Sequence, residues 1–206
     1  MTIQAVVFDI GNVLLEWNPE RFYDARIGEV RRRALFTDVD LVGMNERIDL
    51  GAPFEATIRA TAKAHPDWQA EIHLWHDEWL AMASPLIDHS VRLLRALRSK
   101  VIPVHALSNF GVDSFALARS TYDVLAEFDV TIISGDLKAQ KPDPLIYETL
   151  EVASGQSGDA LLFTDDRADN VRAAEARGWR THLFDRPQGW ADRLVAEGLL
   201  TPEEAA

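Results

Sequence analysis

The sequence has no cysteine, and no apolar run among its 206 residues is long enough to cross a membrane. Without cysteine, neither a disulfide framework nor a thiolate metal site can form. The first strand-like run follows directly after Met1 with no signal-peptide pattern, so we expect a cytoplasmic protein. Internal repeats and low-complexity segments are absent as well. At 206 residues, the chain is long enough for one substantial globular domain, or for a core with a smaller insertion.

Basic residues are scarce relative to acidic ones. The 21 lysines and arginines against 33 aspartates and glutamates give a formal net charge of −12 at pH 7. Such a surface repels polyanions, which argues against nucleic acid as a partner. It also repels small phosphate esters at long range, so a site for one must supply its positive charge locally. The one dense basic run, Arg31–Arg33, is typical of a solvated helix face.

Short β-branched runs alternate with longer amphipathic segments along the chain. This alternation predicts an α/β fold with a Rossmann-like parallel sheet core flanked by helices. Helices are predicted over Leu86–Arg98 and over Arg167–Arg177, the second ending at Gly178. The predicted strands are Ile3–Phe8, Val101–Leu107, Val130–Ile133, Ala160–Phe163 and Arg180–Phe184.

One interval interrupts this alternation. From about Asn18 to Ser84, helical patterns follow one another and nothing resembles a buried strand. That is more helix than a single crossover between parallel strands needs. We therefore predict a helical cap domain at residues 17–84, inserted into a Rossmann-like core made of residues 1–16 and 85–206. The cleft between them would lie at the mouth of the sheet, where α/β proteins bind ligands.

Polar side chains stand at or close to the ends of four apolar runs. They are Asp9, the pair Ser108–Asn109, Lys141 and the pair Asp165–Asp166. Each alone is ordinary turn or helix-cap chemistry. In a parallel sheet, however, the carboxyl ends of all strands lie on one edge, so the four clusters would converge. Their conjunction favours one site over four unrelated caps.

In this order, the clusters resemble the four motifs of the haloacid dehalogenase superfamily. The matching residues are Asp9 in FDIGNVL, Ser108 in LSN, Lys141 in KPDP and Asp165–Asp166 in FTDDRADN. The helical insertion falls where that superfamily carries its smaller helical cap, so the resemblance spans nearly the whole chain. The variants FDxGNVL and FxDDxxDN look most like a bacterial sub-group that includes a glucose-1-phosphatase.

The resemblance implies an Mg²⁺-dependent phosphatase that hydrolyses small phosphomonoesters, sugar phosphates among them, through an aspartyl-phosphate on Asp9. Lys141 would place positive charge beside the nucleophile and the phosphoryl oxygens, and Ser108 and Asn109 would help to bind those oxygens. The partner would be a small phosphorylated metabolite, with no nucleic acid and no membrane. The protein would act as a monomer or a homodimer.

Magnesium would be held at the same edge, since this cation prefers hard oxygen ligands. By the resemblance, the ligands are the Asp9 carboxylate, the backbone carbonyl of Gly11, Asp166 and, in the inner or an outer position, Asp165. Asp169 or Asn170 would orient Lys141 or the metal-bound waters.

Gly11 departs from the superfamily pattern. Phosphatases of the superfamily usually carry a second Asp two residues after the nucleophile, where it protonates the leaving oxygen and contributes roughly 10²–10⁴-fold in rate. Three interpretations stay open without it. The first is a phosphatase whose substrates have good leaving groups, or whose general acid lies elsewhere in the chain, with Glu16, His73 and His76 as candidates. The second is a 2-haloacid dehalogenase. The third is a non-catalytic binding protein. The retained Asp165–Asp166 pair favours the phosphatase, because displacing halide needs no Mg²⁺.

The insertion holds three tryptophans spaced seven and four residues apart, Trp68, Trp75 and Trp79, which predicts one shared helical face. They would form an aromatic wall for a sugar ring or pack the cap helices and seal a dimer interface, and packing is favoured. His73 and His76 have no third metal ligand at a helpful spacing, so surface positions are expected. The side chains near the start of the insertion that could reach a substrate are Trp17, Arg21 and Asp24.

Overall fold

The computed structural model describes residues 2–206 and confirms the α/β fold with a parallel sheet flanked by helices. Its strands are β1 Ala5–Phe8, β2 Leu15–Trp17, β3 Ala83–Leu86, β4 Val104–Ser108, β5 Val130–Ile133, β6 Leu161–Asp165 and β7 Arg180–Leu183. The main sheet has the order β5-β4-β1-β6-β7, and all its strands pair in parallel. All five predicted strands are therefore present, with β1 at the centre.

The helices cover both faces of this sheet and fill the interval between β2 and β3. They are α1 Pro19–Ile27, α2 Glu29–Asp38, α3 Leu41–Asp49, α4 Phe54–Ala64, α5 Gln69–Asp77, α6 Trp79–Met82, α7 Asp88–Ser99, α8 Val112–Thr121, α9 Ser134–Leu137, α10 Pro144–Ser154, α11 Ala168–Ala176 and α12 Pro187–Ala196. The two helices predicted from the sequence, over Leu86–Arg98 and Arg167–Arg177, are present as α7 and α11. Within residues 2–206, no helix combines the length and the apolar character that a membrane crossing requires.

The central strand β1 is apolar throughout because helices cover both of its faces. Its four residues have no exposed surface. Val6 and Phe8 pack into one hydrophobic cluster with α7 and α12, whereas Ala5 and Val7 pack into a second cluster with α10 and α11. This is the two-residue alternation of a strand buried on both sides. A polar residue directly after such a strand is delivered to the edge of the sheet.

Two short strands that the sequence patterns do not predict join the core to the helical segment. β2 and β3 pair antiparallel, with Leu15 opposite Leu86 and Trp17 opposite Ala83. β2 has only three residues, and Pro85 within β3 lacks a backbone donor, so neither carries a recognisable strand pattern. β3 overlaps the last two residues of the interval expected to lack a buried strand, and only its first residue, Ala83, is buried. We call α1–α6, which lie between these strands, the helical insertion; its status as a separate domain at 17–84 stays a prediction.

The tryptophans of the insertion do not share one helical face. Trp68 ends a 3₁₀ turn, Trp75 lies in α5, and Trp79 begins α6. Glu78 separates the last two helices with φ −125° and ψ 26°, outside the helical region. The indole of Trp75 packs against Trp17 with ring centroids 5.9 Å apart. The prediction of a single face is therefore wrong, because the backbone breaks between the residues that would have formed it.

The end of α3 and the loop after it touch the core at unusually short range. A Cβ on Gly51, which has φ +92°, would lie 2.6 Å from the Gly135 carbonyl oxygen, and one on Gly111 would lie 2.6 Å from Ile48 Cγ2. These distances are shorter than side chains tolerate, so glycine is required for this approach. Ser134 Oγ also donates to the backbone carbonyl of Asp49 at 2.6 Å. We call this contact between α3 and the core the α3 seam.

Candidate active site

Asp9 lies directly after β1 and is buried at the carboxyl edge of the sheet. Its Oδ1 accepts hydrogen bonds from Ser108 Oγ at 2.7 Å and from the Ile10 backbone N–H at 2.7 Å, and Lys141 Nζ lies 2.9 Å away. Burial raises the pKa of Asp9 to about 7 against the opposing effect of Lys141, and Asp165 raises it further. All three donors contact Oδ1, so no donor among the described residues occupies Oδ2.

Lys141 is the buried positive charge of this edge. Its Nζ donates to Asp165 Oδ2 at 2.6 Å and to the Leu107 carbonyl at 2.7 Å, in addition to contacting Asp9. Burial alone lowers the pKa of Lys141, but Asp165 and Asp9 outweigh that effect and raise it. Lys141 is therefore a fixed cation beside Asp9.

Asn109 holds the backbone of Lys141. The Asn109 Nδ2 donates to the Lys141 carbonyl at 3.0 Å, and the Lys141 backbone N–H donates to Asn109 Oδ1 at 2.7 Å. Both polar atoms of the Asn109 side chain are thus engaged within the protein. Its expected contact with phosphate stays a prediction, while its contact with Lys141 is part of the structure.

Asp165 is the last residue of β6 and Asp166 follows it, but the two carboxylates have different partners. Asp165 has no exposed surface, and it accepts from Lys141 Nζ, from the Arg167 backbone N–H at 2.8 Å and from Asn170 Nδ2 at 2.9 Å. Asp166 is only partly buried, and it accepts from Asn12 Nδ2 at 3.0 Å. Burial raises the pKa of Asp166. Asp165 thus fixes the position of the Lys141 side chain, while Asp166 lines the cleft.

The carboxylates of Asp9, Asp165 and Asp166 could hold a metal ion. One oxygen from each lies within 4.8 Å of the others. Hard oxygen donors in this number, with room left for water, suit Mg²⁺. The engaged oxygens of Asp165 make Asp9 and Asp166 the better direct ligands.

Of the two supporting residues named from the motif, the structure brings one into the cluster. Asn170 donates to Asp165, and its backbone carbonyl accepts from the Tyr147 hydroxyl at 3.0 Å. Asp169 instead projects from the exposed side of α11 and pairs with Arg172. Neighbouring residues on a helix point about 100° apart, so Asp169 and Asn170 cannot both face the site.

Asn12 belongs to the cluster and was not singled out from the sequence. It adopts φ 55°, a left-handed conformation that asparagine tolerates better than most residues. Its Oδ1 accepts from the Trp17 backbone N–H at 3.0 Å, while its Nδ2 donates to Asp166. It therefore ties the turn after β1 to both β2 and the acid pair. The Gly-Asn dipeptide after β1 was the available signal.

A cleft of about 450 Å³ opens between this edge of the sheet and the insertion. Its core wall carries Asp9, Ser108, Lys141 and Asp166. The aromatic residues that line it are Trp17, Phe36, Trp75, Trp79 and Phe110, and the acidic residues contributed by the insertion are Glu20, Glu46 and Asp49. Asp49 was also not singled out from the sequence.

The other candidates from the sequence lie elsewhere. Glu16 forms an ion pair with Arg21, and Asp24 pairs with Arg32 at 2.9 Å. His73 and His76 line a separate hollow of about 160 Å³. Among these positions and Trp17, only Trp17 lines the cleft. None of the three acid candidates proposed from the sequence therefore faces Asp9.

Gly11 also lines the cleft, two residues after Asp9. A Cβ built on it would meet no described atom within 4 Å. Steric crowding therefore does not demand glycine here. The position that usually holds an acid is open space.

Comparison with known proteins agrees with this geometry. The sequence model of the haloacid dehalogenase-like hydrolases matches residues 3–178. The protein named phosphatase MT3486 from Mycobacterium tuberculosis is 26% identical over 210 residues, covering 96% of this chain and 94% of its own length.

Solved structures share the fold. The HAD family enzyme bt-2542 of Bacteroides thetaiotaomicron, in complex with magnesium and inorganic phosphate, matches with a TM-score of 0.68 and 22% identity over 87% of this chain and 93% of its own. The L-2-haloacid dehalogenase of Xanthobacter autotrophicus with covalently bound chloropropionic acid matches with a TM-score of 0.62 and 19% identity. This match covers 98% of this chain and 86% of the dehalogenase chain. The family match covers most of the sequence, and the chain is an enzyme of the haloacid dehalogenase-like hydrolase family.

Proposed function

We propose that this enzyme is an Mg²⁺-dependent phosphatase that hydrolyses small phosphomonoesters through an aspartyl-phosphate on Asp9. The observation that carries the proposal is the set of charges around Asp9. Three carboxylates lie together at the sheet edge, and the ammonium group of Lys141 contacts two of them. A phosphate dianion could not approach so negative a site unless a cation joined it.

The acids provide a place for that cation. Asp9, Asp166 and the backbone carbonyl of Gly11 would hold Mg²⁺, with Asp165 behind them. When bound, the ion would neutralise charge on the nucleophile and on the phosphoryl oxygens. The bt-2542 enzyme with bound magnesium and phosphate supports this assignment by analogy of fold.

The remaining roles follow from the contacts of the chain itself. Asp9 would attack phosphorus through Oδ2, because the donors from Ile10, Ser108 and Lys141 all hold Oδ1. Lys141 would stabilise charge that develops on the phosphoryl oxygens, and it cannot drift because Asp165 and the Leu107 carbonyl fix its Nζ. Asn109 would act as a positioning residue for Lys141.

The substrate would bind under the insertion, which acts as a cap. Aromatic side chains line the cleft, and such faces can pack on a sugar ring or another flat apolar surface. Anomeric sugar phosphates, the substrate type of the sub-group with a glucose-1-phosphatase, are one class that this cleft could hold. The cytoplasmic location and the oligomeric state expected from the sequence stay predictions.

Hydrolysis of para-nitrophenyl phosphate tests the proposal. Its nitrophenolate leaves without being protonated, so the glycine at position 11 does not block the first step. We expect turnover that requires Mg²⁺, stops with EDTA and is lost in Asp9→Asn. Asp169→Asn is the matched control, because it makes the same chemical change on the exposed side of α11.

The alternatives have their own readouts. Chloride release from 2-chloropropionate that depends on Asp9 but not on Mg²⁺, without phosphate release, would replace the phosphatase proposal with dehalogenation. If neither reaction depends on Asp9, the chain is a non-catalytic member of its family.

A further inference from the structure

Asp49 is the last residue of α3 and lines the same cleft as Asp9 and Lys141. Its Oδ2 accepts from Asn45 Nδ2 at 2.8 Å, one turn earlier on the helix. Within residues 2–206, no lysine, arginine or histidine forms an ion pair with it. A partly buried carboxyl group without an ion-pair partner is unusual, since burying an unpaired carboxylate is costly.

The α3 seam holds Asp49 in place. Ser134 Oγ fixes its backbone carbonyl, and Ile48 beside it packs against Gly111 at a distance that only glycine allows. Gly111 lies three residues after Ser108, the last residue of β4, so the loop that follows the Ser108 hydroxyl also supports Asp49. The position of Asp49 is therefore defined relative to the core and not only to the insertion.

The surroundings of Asp49 favour its protonated form. Burial raises the pKa of Asp49 to about 8, the Gly111 backbone N–H opposes this, and Glu46 raises it further. At neutral pH the group is then a carboxylic acid with a proton to donate. The other charged side chains on α3, at its N-cap and on the segments packed against it are Asp40, Arg47, Glu55, Arg59, Lys63, Asp113, Asp136 and Lys138.

The other acids of the insertion that line the cleft, Glu20 and Glu46, are more exposed than Asp49. Glu20 is exposed, and its carboxylate lies 3.2 Å from Arg32 Nη1 in an ion pair. Glu46 is exposed as well. Asp49 alone among the three combines partial burial with the absence of a cationic partner.

We propose that Asp49 is the general acid that replaces the one missing at Gly11, supplied to the reaction by the insertion. This inference rests on the phosphatase function proposed above. In the first step an Asp9 oxygen bonds to phosphorus, the bond from phosphorus to the leaving oxygen breaks, and the Asp49 proton passes to that oxygen to give a neutral alcohol. In the second step Asp49 takes a proton from the water that attacks the aspartyl-phosphate, which releases phosphate and restores both carboxyl groups.

Leaving groups of different basicity test this role. We would measure kcat/KM with Mg²⁺ for para-nitrophenyl phosphate, phenyl phosphate and glycerol 2-phosphate, in the wild type, Asp49→Asn and Asp67→Asn. The ratio kcat/KM reports the steps through phosphoryl transfer, so a later effect on hydrolysis of the intermediate does not obscure it. Asp67 is an exposed aspartate of the insertion outside the cleft and serves as the matched control.

We expect Asp49→Asn to lower kcat/KM for glycerol 2-phosphate by about 10²-fold or more and to leave para-nitrophenyl phosphate near the wild-type value. Phenyl phosphate should fall between them, and Asp49→Glu should recover part of the loss. In the wild type, kcat/KM for glycerol 2-phosphate should fall as pH rises through about 8. This decrease at high pH should be absent in Asp49→Asn.

Two results would overturn the inference while leaving the phosphatase intact. One is an equal loss for all three substrates in Asp49→Asn, which would mark a structural or binding role. The other is no loss for any of them. Absence of Asp9-dependent turnover in the wild type would instead defeat the phosphatase proposal, and the role of Asp49 would fall with it.

Discussion

Asn109 and Lys141 are joined by two hydrogen bonds that run in opposite directions between a side chain and a backbone. Asn109 Nδ2 donates to the Lys141 carbonyl, and the Lys141 N–H donates to Asn109 Oδ1. The loop after β4 is thereby locked to the segment that carries the lysine. The Nζ of Lys141 then reaches Asp9 and Asp165 from a fixed backbone. Two motifs that are distant in sequence act as one structural unit.

Removing this link should lower kcat more than it changes KM. Asn109→Ala deletes both hydrogen bonds, which should reduce the free energy of unfolding by about 1–3 kcal/mol and loosen Lys141. Because the lysine stabilises charge that develops in the transition state, the loss should appear in kcat. Kinetics with para-nitrophenyl phosphate and urea unfolding would measure both effects.

Asn109→Asp is the graded comparison, since it keeps an acceptor for the Lys141 N–H but loses the donor. Inhibition by inorganic phosphate separates positioning from direct phosphate binding. If Asn109→Ala weakened phosphate inhibition and raised KM while kcat stayed constant, Asn109 would contact the phosphate, as the motif comparison first implied.

The main sheet and three of the four site clusters could be predicted, because each of those three clusters follows an apolar run. A strand covered on both faces, such as β1, is recognisable in the sequence as a continuous apolar run. In a parallel sheet, the residue that follows such a run lies at the carboxyl edge. That rule finds Asp9, Ser108 and Asp165 without any knowledge of contacts.

Asp49 and β3 could not be found in this way. Asp49 reads as an ordinary polar residue at the end of a helix, and only the close approach of α3 to Gly111 and Gly135 makes its place in the cleft significant. β3 contains Pro85, which local rules count against a strand. Both features depend on how the insertion meets the core, and that information is not local in sequence.

Magnesium should stabilise the fold if the three carboxylates bind it. A ligand that binds only the folded state adds RT ln(1 + [L]/Kd), or about 2.7 kcal/mol at a concentration of 100 Kd. We expect Mg²⁺ to raise the melting temperature of the wild type and of Asp169→Asn, but not of Asp166→Asn. An equal shift in all three would mean that the ion binds elsewhere on the acidic surface.

Asp49 should make stability depend on pH. Its folded pKa of about 8 lies above the ordinary value of 3.8, so the folded chain keeps a proton that the unfolded chain releases. The stability from this group is complete below pH 3.8 and is lost as pH rises through about 8. Urea unfolding across this range should show a steeper decline for the wild type than for Asp49→Asn. Asp67→Asn should follow the wild type, and parallel curves for all three would mean that Asp49 is ionised in the folded state.

An aspartate introduced at position 11 should restore a proton donor of the usual kind. A Cβ on Gly11 meets no described atom within 4 Å, and the residue does not require a left-handed backbone, so Gly11→Asp should fold. If Asp49 is the present acid, Gly11→Asp in the Asp49→Asn background should recover kcat/KM for glycerol 2-phosphate while changing para-nitrophenyl phosphate little. Gly11→Asn in the same background fills the same space without a carboxyl group and should recover nothing. Equal recovery with asparagine would show that filling the space, and not proton donation, was what the site lacked.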